Sequence, residues 1–161
     1  MERLWAPWRI QYVGVEQKPG CLFCRVIQNP DDPDAALVVW RPSGAIVMLN
    51  KFPYNPGHAM VAPLAHKPSL EDLDDAETTD LMRAVRRTLT VLRRVMNPDA
   101  LNGGLNIGRA AGAGIPDHVH FHIVPRWEGD TNFMAVIDDV KVVNEALSET
   151  AAKLRQAFDA T

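Results

Sequence analysis

The stretch DHVHFHIVPRW, Asp117 to Trp127, constrains the fold more than any other part of the chain. Apolar Val119, Phe121 and Ile123 alternate with His118, His120 and His122. A period of two belongs to an extended strand, whose successive side chains point to opposite faces. The apolar set then faces a core. The three imidazoles share the other face, roughly 6.5–7 Å apart along the strand. A helix would scatter them. His58 and His66 complete the five histidines of the chain. Burying several imidazoles without partners costs free energy at each one, so the row points to ligands or chemistry rather than to packing alone.

The remaining sequence builds a sheet around that strand. AALVVW (35–40) and AIVMLN (45–50) read as two strands joined by the turn RPSG, and HAMVAP (58–63) as a third. KFPYNPG, between the second and third, is rich in turn formers. LNGGLNIG and DHVHFHIVP read as two further strands around the loop RAAGAGIP. Leu22 to Gln28 fits a short helix ended by NPDDPD. Leu81, Met82, Val85, Leu89, Leu92, Val95 and Met96 recur at helical spacing, with acidic residues from Asp72 to Asp80 at the N-terminal side and NPDA as the stop. A last helix is expected from about Asp139 to Ala160, on the stripe Val142, Val143, Leu147, Leu154 and Phe158. Arg83, Arg86, Arg87, Arg93 and Arg94 read as the solvated face of the long helix. The expected class is α+β: an antiparallel sheet of about five strands with a long helix and a C-terminal helix, its helices on one side.

At 161 residues, 47% of them hydrophobic, the chain suffices for one domain with a sizeable core. That domain is expected to span residues 1–161, with an aromatic arm over about residues 1–20 that carries Trp5, Trp8 and Tyr12. A net charge of −3 gives no reason to expect nucleic-acid binding. No apolar run is long enough to span a bilayer, and MERLWAPWRIQYVG lacks the layout of a signal peptide, so a cytoplasmic location is expected.

The two cysteines form CLFC. In a reducing compartment such a pair is half of a metal site or a redox couple, and the redox reading wants a thioredoxin-like βαβ context that the neighbouring sequence lacks. Cys21, Cys24, His66 and one histidine of the row would supply a Cys₂His₂ set for zinc. Such a site is closed and structural, and it leaves the other two histidines of the row free.

HVHFHIV has the form His-φ-His-φ-His-φ-φ, with φ apolar, and resembles the signature of the histidine triad superfamily of nucleotide hydrolases and transferases. MLNKFPYNPGHAMVAP resembles that superfamily's second signature. LWAPWR, CLFC, GAGIPDH and VPRWEGDTNFM resemble a bacterial branch that includes diadenosine tetraphosphate phosphorylases. The resemblance covers most of the chain. It implies that His120 is a nucleophile toward a nucleotide α-phosphate, that His122 holds phosphate oxygens, and that His58 lies close by on a neighbouring strand. It implies that His118 joins Cys21, Cys24 and His66 around a structural zinc. It also implies nucleotide contacts from Asn50 near the ribose and Asn106 near the phosphate. Gly114 lies in GAGIP, whose backbone N–H groups could approach a phosphate as glycine-rich loops do. Leu22, Phe23, Ile27 and Val47 are candidate walls for an adenine, or ordinary core. Many members of the superfamily carry glutamine or serine shortly before the triad. Here the residues are Ala113, Gly114, Ile115 and Pro116, a departure that bears on the leaving group.

The implied chemistry suits imidazole, which is neutral and nucleophilic near pH 7. A covalent nucleotidyl-histidine splits one hard displacement into two easier ones. The expected reaction is phosphorolysis of diadenosine tetraphosphate to ATP and ADP by a homodimer, with inorganic phosphate as acceptor. Hydrolysis on the same site, with water as acceptor, is one alternative. A zinc-stabilised nucleotide-binding module without turnover is another. Neither a nucleic-acid partner nor a membrane is expected.

Overall fold

A computed structural model of the chain describes residues 20–130 and 145–160. The aromatic arm, apart from Gly20, lies outside the described residues, as do Val142 and Val143. In chain order the elements are α1 (Leu22–Gln28), β1 (Val38–Trp40), β2 (Ala45–Leu49), β3 (Ala59–Pro63), α2 (Asp75–Met96), β4 (Ala100–Leu105), β5 (Phe121–Arg126) and α3 (Leu147–Asp159). The five strands form one antiparallel sheet in the order β1-β2-β3-β5-β4. The α+β class and the strand number agree with expectation.

The sheet buries both faces, which is why β2 and β3 are apolar without alternation. Val47, Leu49, Ala59, Val61 and Ile123 meet α2 and α3 on one face. Ile46, Met48, Met60 and Ala62 meet Phe23 and Val26 of α1 on the other. The expectation of helices on one side holds for the long helix and the C-terminal helix only: α1 packs on the opposite side, because Phe23 and Val26 cover the second apolar face of β2 and β3, and it helps to wall the histidine face.

Helix α2 begins with a reciprocal capping box, in which Asp74 accepts from the Glu77 N–H at 2.8 Å and Glu77 accepts from the Asp74 N–H at 2.8 Å. It ends at Asn97, whose left-handed φ of 45° satisfies the αL cap. Leu81, Ala84, Val85, Thr88, Val91 and Leu92 are its buried face. Met82, expected on that stripe, is 48% exposed because it lies about 100° round from Leu81. Two arginines of the basic run do more than meet solvent: Arg87 and Arg94 donate to the carbonyls of Phe158 and Ala157 at the C-terminal end of α3.

Boundaries differ from the sequence reading in every strand: β2 ends at Leu49, β3 starts at Ala59 and β4 runs over Ala100–Leu105 rather than on to Gly108. β1 starts at Val38 because Asp32 and Pro33 initiate a 3₁₀ turn over Pro33–Leu37. α3 starts at Leu147, and Glu145 before it is turned back onto Thr150 (2.8 Å) and Lys153. β5 starts at Phe121, so His118 and His120 precede the ladder. There the Val119 N–H goes to the Lys67 carbonyl (2.7 Å), and the Pro63 carbonyl is taken by the ring of His118 (2.9 Å), not by a strand partner. The apolar expectation holds in that stretch: Val119 and Ile123 are buried, and Phe121 packs against the helix-side core. Among the described residues no helix is long and apolar enough to cross a membrane.

Candidate active site and metal centre

On the face opposite α2 and α3, a cavity of about 670 Å³ opens beside the end of β5. Its volume is in the range of small-molecule sites. His120, His122, Asn50, Asn106 and Gly114 all line it. Leu22, Leu37, Met48, Met60 and Ile115 supply apolar wall. Of the other apolar candidates, Phe23 is fully buried beneath the histidines and Val47 faces the helix-side core.

Hydrogen bonds assign the imidazole tautomers. The Nδ1 of His120 lies 2.9 Å from the His118 carbonyl oxygen, which can only accept, so Nδ1 carries the hydrogen. Nε2 is left as the basic nitrogen. Phe23 supports both rings from below, with centroids 5.0 Å from His118 and 5.1 Å from His120. Burial holds the His120 and His118 imidazoles below the ordinary histidine range, so both are neutral at pH 7.

His58 sits behind His122 rather than in the cavity wall. It is buried just before β3, and its Nδ1 accepts the backbone N–H of Tyr54 at 3.1 Å. Its Nε2 therefore bears the hydrogen and donates to the Nδ1 of His122 at 3.0 Å. The last nitrogen in the chain, His122 Nε2, must then be an N–H donor. The His122 ring is T-shaped to that of His120, with centroids 4.8 Å apart. A basic nitrogen and a hydrogen-bond donor thus stand on adjacent rings of one cavity.

Turn chemistry places the supporting groups. Asn50 follows β2, and its Oδ1 accepts the Phe52 N–H at 2.8 Å, the bond of an Asx turn. Asn50 is both a turn residue and a cavity residue. Gly57 adopts a φ of +76°, and a Cβ there would lie 3.2 Å from Pro125 Cγ, so the Pro-Gly-His turn needs glycine for shape and for space. Tyr54, Asn55 and Asp130 were not among the residues expected from sequence. Their signals were the motifs YNPGH and WEGD, which carry no chemistry until folding sets Asp130 against Asn55, in the turn that leads to His58.

The four expected ligands converge. Cys21 precedes α1 and Cys24 lies in its first turn, so both thiols face one side. The ligand atoms of Cys21, Cys24, His66 and His118 all lie within 4.8 Å of one another. His118 donates from Nε2 to the Pro63 carbonyl, which leaves its Nδ1 lone pair toward the cysteines at 3.4 and 3.8 Å. His66 Nδ1 is 3.2 Å from Cys24 Sγ. A tetrahedral zinc with two sulfur and two nitrogen ligands sets S···N spacings of about 3.5 Å. The donor set fits a metal of that kind. Burial, with Cys21 beside it, pushes the Cys24 thiol up from its ordinary range, a cost that a bound cation would relieve.

Known proteins resemble this chain in sequence and in fold. The HIT domain model matches residues 33–129. AP-4-A phosphorylase from Mycobacterium tuberculosis is 38% identical over 159 residues, covering 93% of this chain and 80% of its own. The asymmetrical bis(5'-nucleosyl)-tetraphosphatase of Schizosaccharomyces pombe is 38% identical over 98 residues, covering 61% of this chain and 53% of its own. Among solved structures, a hypothetical histidine triad nucleotide-binding protein from Sulfolobus tokodaii superposes with a TM-score of 0.70 at 26% identity, covering 87% of this chain and 93% of that one. Because the family match takes in all five strands and the whole row of imidazoles, the chain belongs to the HIT domain family.

Proposed function

We propose that the protein is a nucleotidyl transferase acting on dinucleoside polyphosphates, with diadenosine tetraphosphate and inorganic phosphate giving ATP and ADP. The observation that carries this is the tautomer of His120, whose Nδ1 is occupied by a carbonyl while the basic Nε2 is left on a ring that lines the cavity. In the first step Nε2 forms a bond to the α-phosphorus, and the bond to the bridging oxygen breaks. ATP leaves as a stable anion, and AMP remains on His120. In the second step a phosphate oxygen attacks the same phosphorus, the P–N bond breaks, and ADP leaves. The Nε2–H of His122 donates to the phosphate oxygens, where charge must be stabilised. Asn50 and Asn106 hold the ribose and the phosphate, with Gly114 offering a backbone free of side-chain bulk.

Arg25, Lys51 and Arg109 lie along the same cavity. Arg25 and Lys51 already pair with Asp34 at 3.0 and 3.2 Å. Arg109 has no acidic partner among the described residues, and we assign it to the leaving polyphosphate. Cys21, Cys24, His66 and His118 would hold a structural zinc, which stiffens the segment that leads into His120. The chain is read as one domain over residues 1–161 with an aromatic arm over about 1–20, as a homodimer, and as cytoplasmic, where reduced thiols suit the metal site. Neither nucleic acid nor membrane enters this reading.

Hydrolysis is the second reading, favoured by the resemblance to the tetraphosphatase. It shares the first step, and water replaces phosphate in the second. Brief exposure to diadenosine tetraphosphate, followed by mass spectrometry and peptide mapping, tests both. The expected result is an adenylyl adduct on His120, with ADP formed only when phosphate is present. AMP formation unaffected by phosphate selects hydrolysis. An adduct on another residue, or none during active turnover, overturns the mechanism.

A further inference from the structure

The segment VPRWEGD, which follows the histidines, takes no part in the chemistry above, yet it closes on the back of the site. The Asp130 carboxylate accepts two hydrogen bonds from Arg126, at 2.6 and 2.8 Å, and one from the Trp127 N–H at 3.2 Å. A further bond comes from Nδ2 of Asn55 at 2.6 Å. The same amide nitrogen also reaches the Pro125 carbonyl at 2.9 Å. Asn55 is only 5% exposed and does not line the cavity. Its place is the turn between Tyr54 and His58, and its own carbonyl accepts the His58 N–H at 3.1 Å.

That turn decides what His58 presents. The Tyr54 N–H is the donor that keeps His58 Nδ1 an acceptor. If the turn relaxed and that donor withdrew, the hydrogen could move to Nδ1 and His58 Nε2 would become an acceptor. His122 Nδ1 would then have to donate, and His122 Nε2 would become a lone pair facing the phosphate. One misplaced peptide N–H would thus reverse the polarity of both rings. Asparagine suits both contacts: aspartate would set a second carboxylate against Asp130, and alanine would leave the Pro125 carbonyl and one Asp130 lone pair without their donor.

We propose that Asn55, anchored by Asp130, is a positioning residue that fixes the tautomers of the His58–His122 pair and so makes His122 a donor toward the substrate. This rests on the reading of His122 as the group that holds the phosphate oxygens. The test uses the full-length chain, labelled with ¹⁵N at the histidines, as wild type, N55A and D130N. Long-range ¹H–¹⁵N correlation without substrate reads the tautomers, and steady-state kinetics with diadenosine tetraphosphate reads function.

In wild type, His58 and His122 each give the pattern of a single Nε2–H tautomer. In a folded N55A protein both give averaged or reversed patterns. There kcat falls about ten- to a hundredfold, the scale of a small misplacement of a reacting group, while KM stays within about twofold. D130N keeps the size of the side chain, carries the same expectation with a smaller fall, and serves alone should N55A not fold. Wild-type tautomers retained in the variants overturn the proposal, whatever happens to the rate, and so does an unchanged kcat with altered tautomers. A wild-type protein that does not turn over diadenosine tetraphosphate defeats the proposed reaction, while the tautomer patterns still judge the positioning claim.

Discussion

The ring of His120 is tethered at 2.9 Å to the backbone oxygen of His118, two residues earlier in the same chain. Because that oxygen can only accept, the proposed adduct is expected on Nε2. Cleavage of the trapped protein to the phosphohistidine should yield the Nε2-linked isomer, distinguishable by ³¹P NMR from the Nδ1-linked one. Replacing His120 with alanine should lower turnover by roughly 10³-fold or more, since the covalent route is lost.

His58 and His122 act as one unit through their 3.0 Å bond. His122→Ala removes a donor to the developing charge and should lower kcat by about 10²- to 10³-fold. His58→Ala should cost less, because it disturbs only the tautomer of His122. The double variant should be about as slow as His122→Ala alone, and a double-mutant cycle in kcat/KM measures that non-additivity.

The leaving-group assignment rests on Arg109, an exposed cavity residue. Arg109→Ala should raise KM for diadenosine tetraphosphate about two- to fivefold, the scale of a solvent-exposed ion pair, with kcat nearly unchanged. Added salt should weaken wild-type binding more than variant binding.

Zinc stoichiometry tests the Cys21–Cys24–His66–His118 cluster. Wild type should bind one equivalent, and Cys24→Ser should bind none tightly. At free zinc a hundredfold above Kd, binding adds about 2.7 kcal/mol to stability. Chelation should therefore lower the Tm of wild type and leave that of the variant unchanged.

Stability in acid follows from Asp130. The Arg126 guanidinium beside it, with the Trp127 N–H and Asn55, holds its carboxyl well below the usual carboxylate range. A folded-state pKa below the unfolded one gives stabilisation that is complete above the unfolded value of about 3.9. It is lost as pH falls from there toward the folded value. Asp130→Asn should be less stable at neutral pH and should show a flatter decline between about pH 5 and pH 2 in denaturant titrations.

The sheet and most residues of the candidate site were legible because they are written in local patterns. HVHFHIV shows a period of two, and Leu81 to Met96 a period of 3.6 with caps at both ends. CLFC, His66 and the row of histidines offer ligand types that suit a metal, and folding brings Cys21, Cys24, His66 and His118 together. What sequence could not show depends on distant partners. β5 begins late because Pro63, more than fifty residues away, gives its carbonyl to His118 rather than to the ladder. Asn55 and Asp130 looked like turn formers until folding set them 2.6 Å apart. Val47 and Met48 are equally apolar, and only the pleat sends one to the helices and the other to the cavity.

Residue 118 divides its labour between two atoms groups of different permanence. The imidazole can be exchanged by mutation, and with it one ligand of the proposed metal site. The peptide oxygen cannot, since every amino acid brings one. Saturation mutagenesis at this codon would therefore separate the two in one direction only: alleles that lose the proposed metal ligand can be made, whereas none can delete the acceptor that orients the His120 ring.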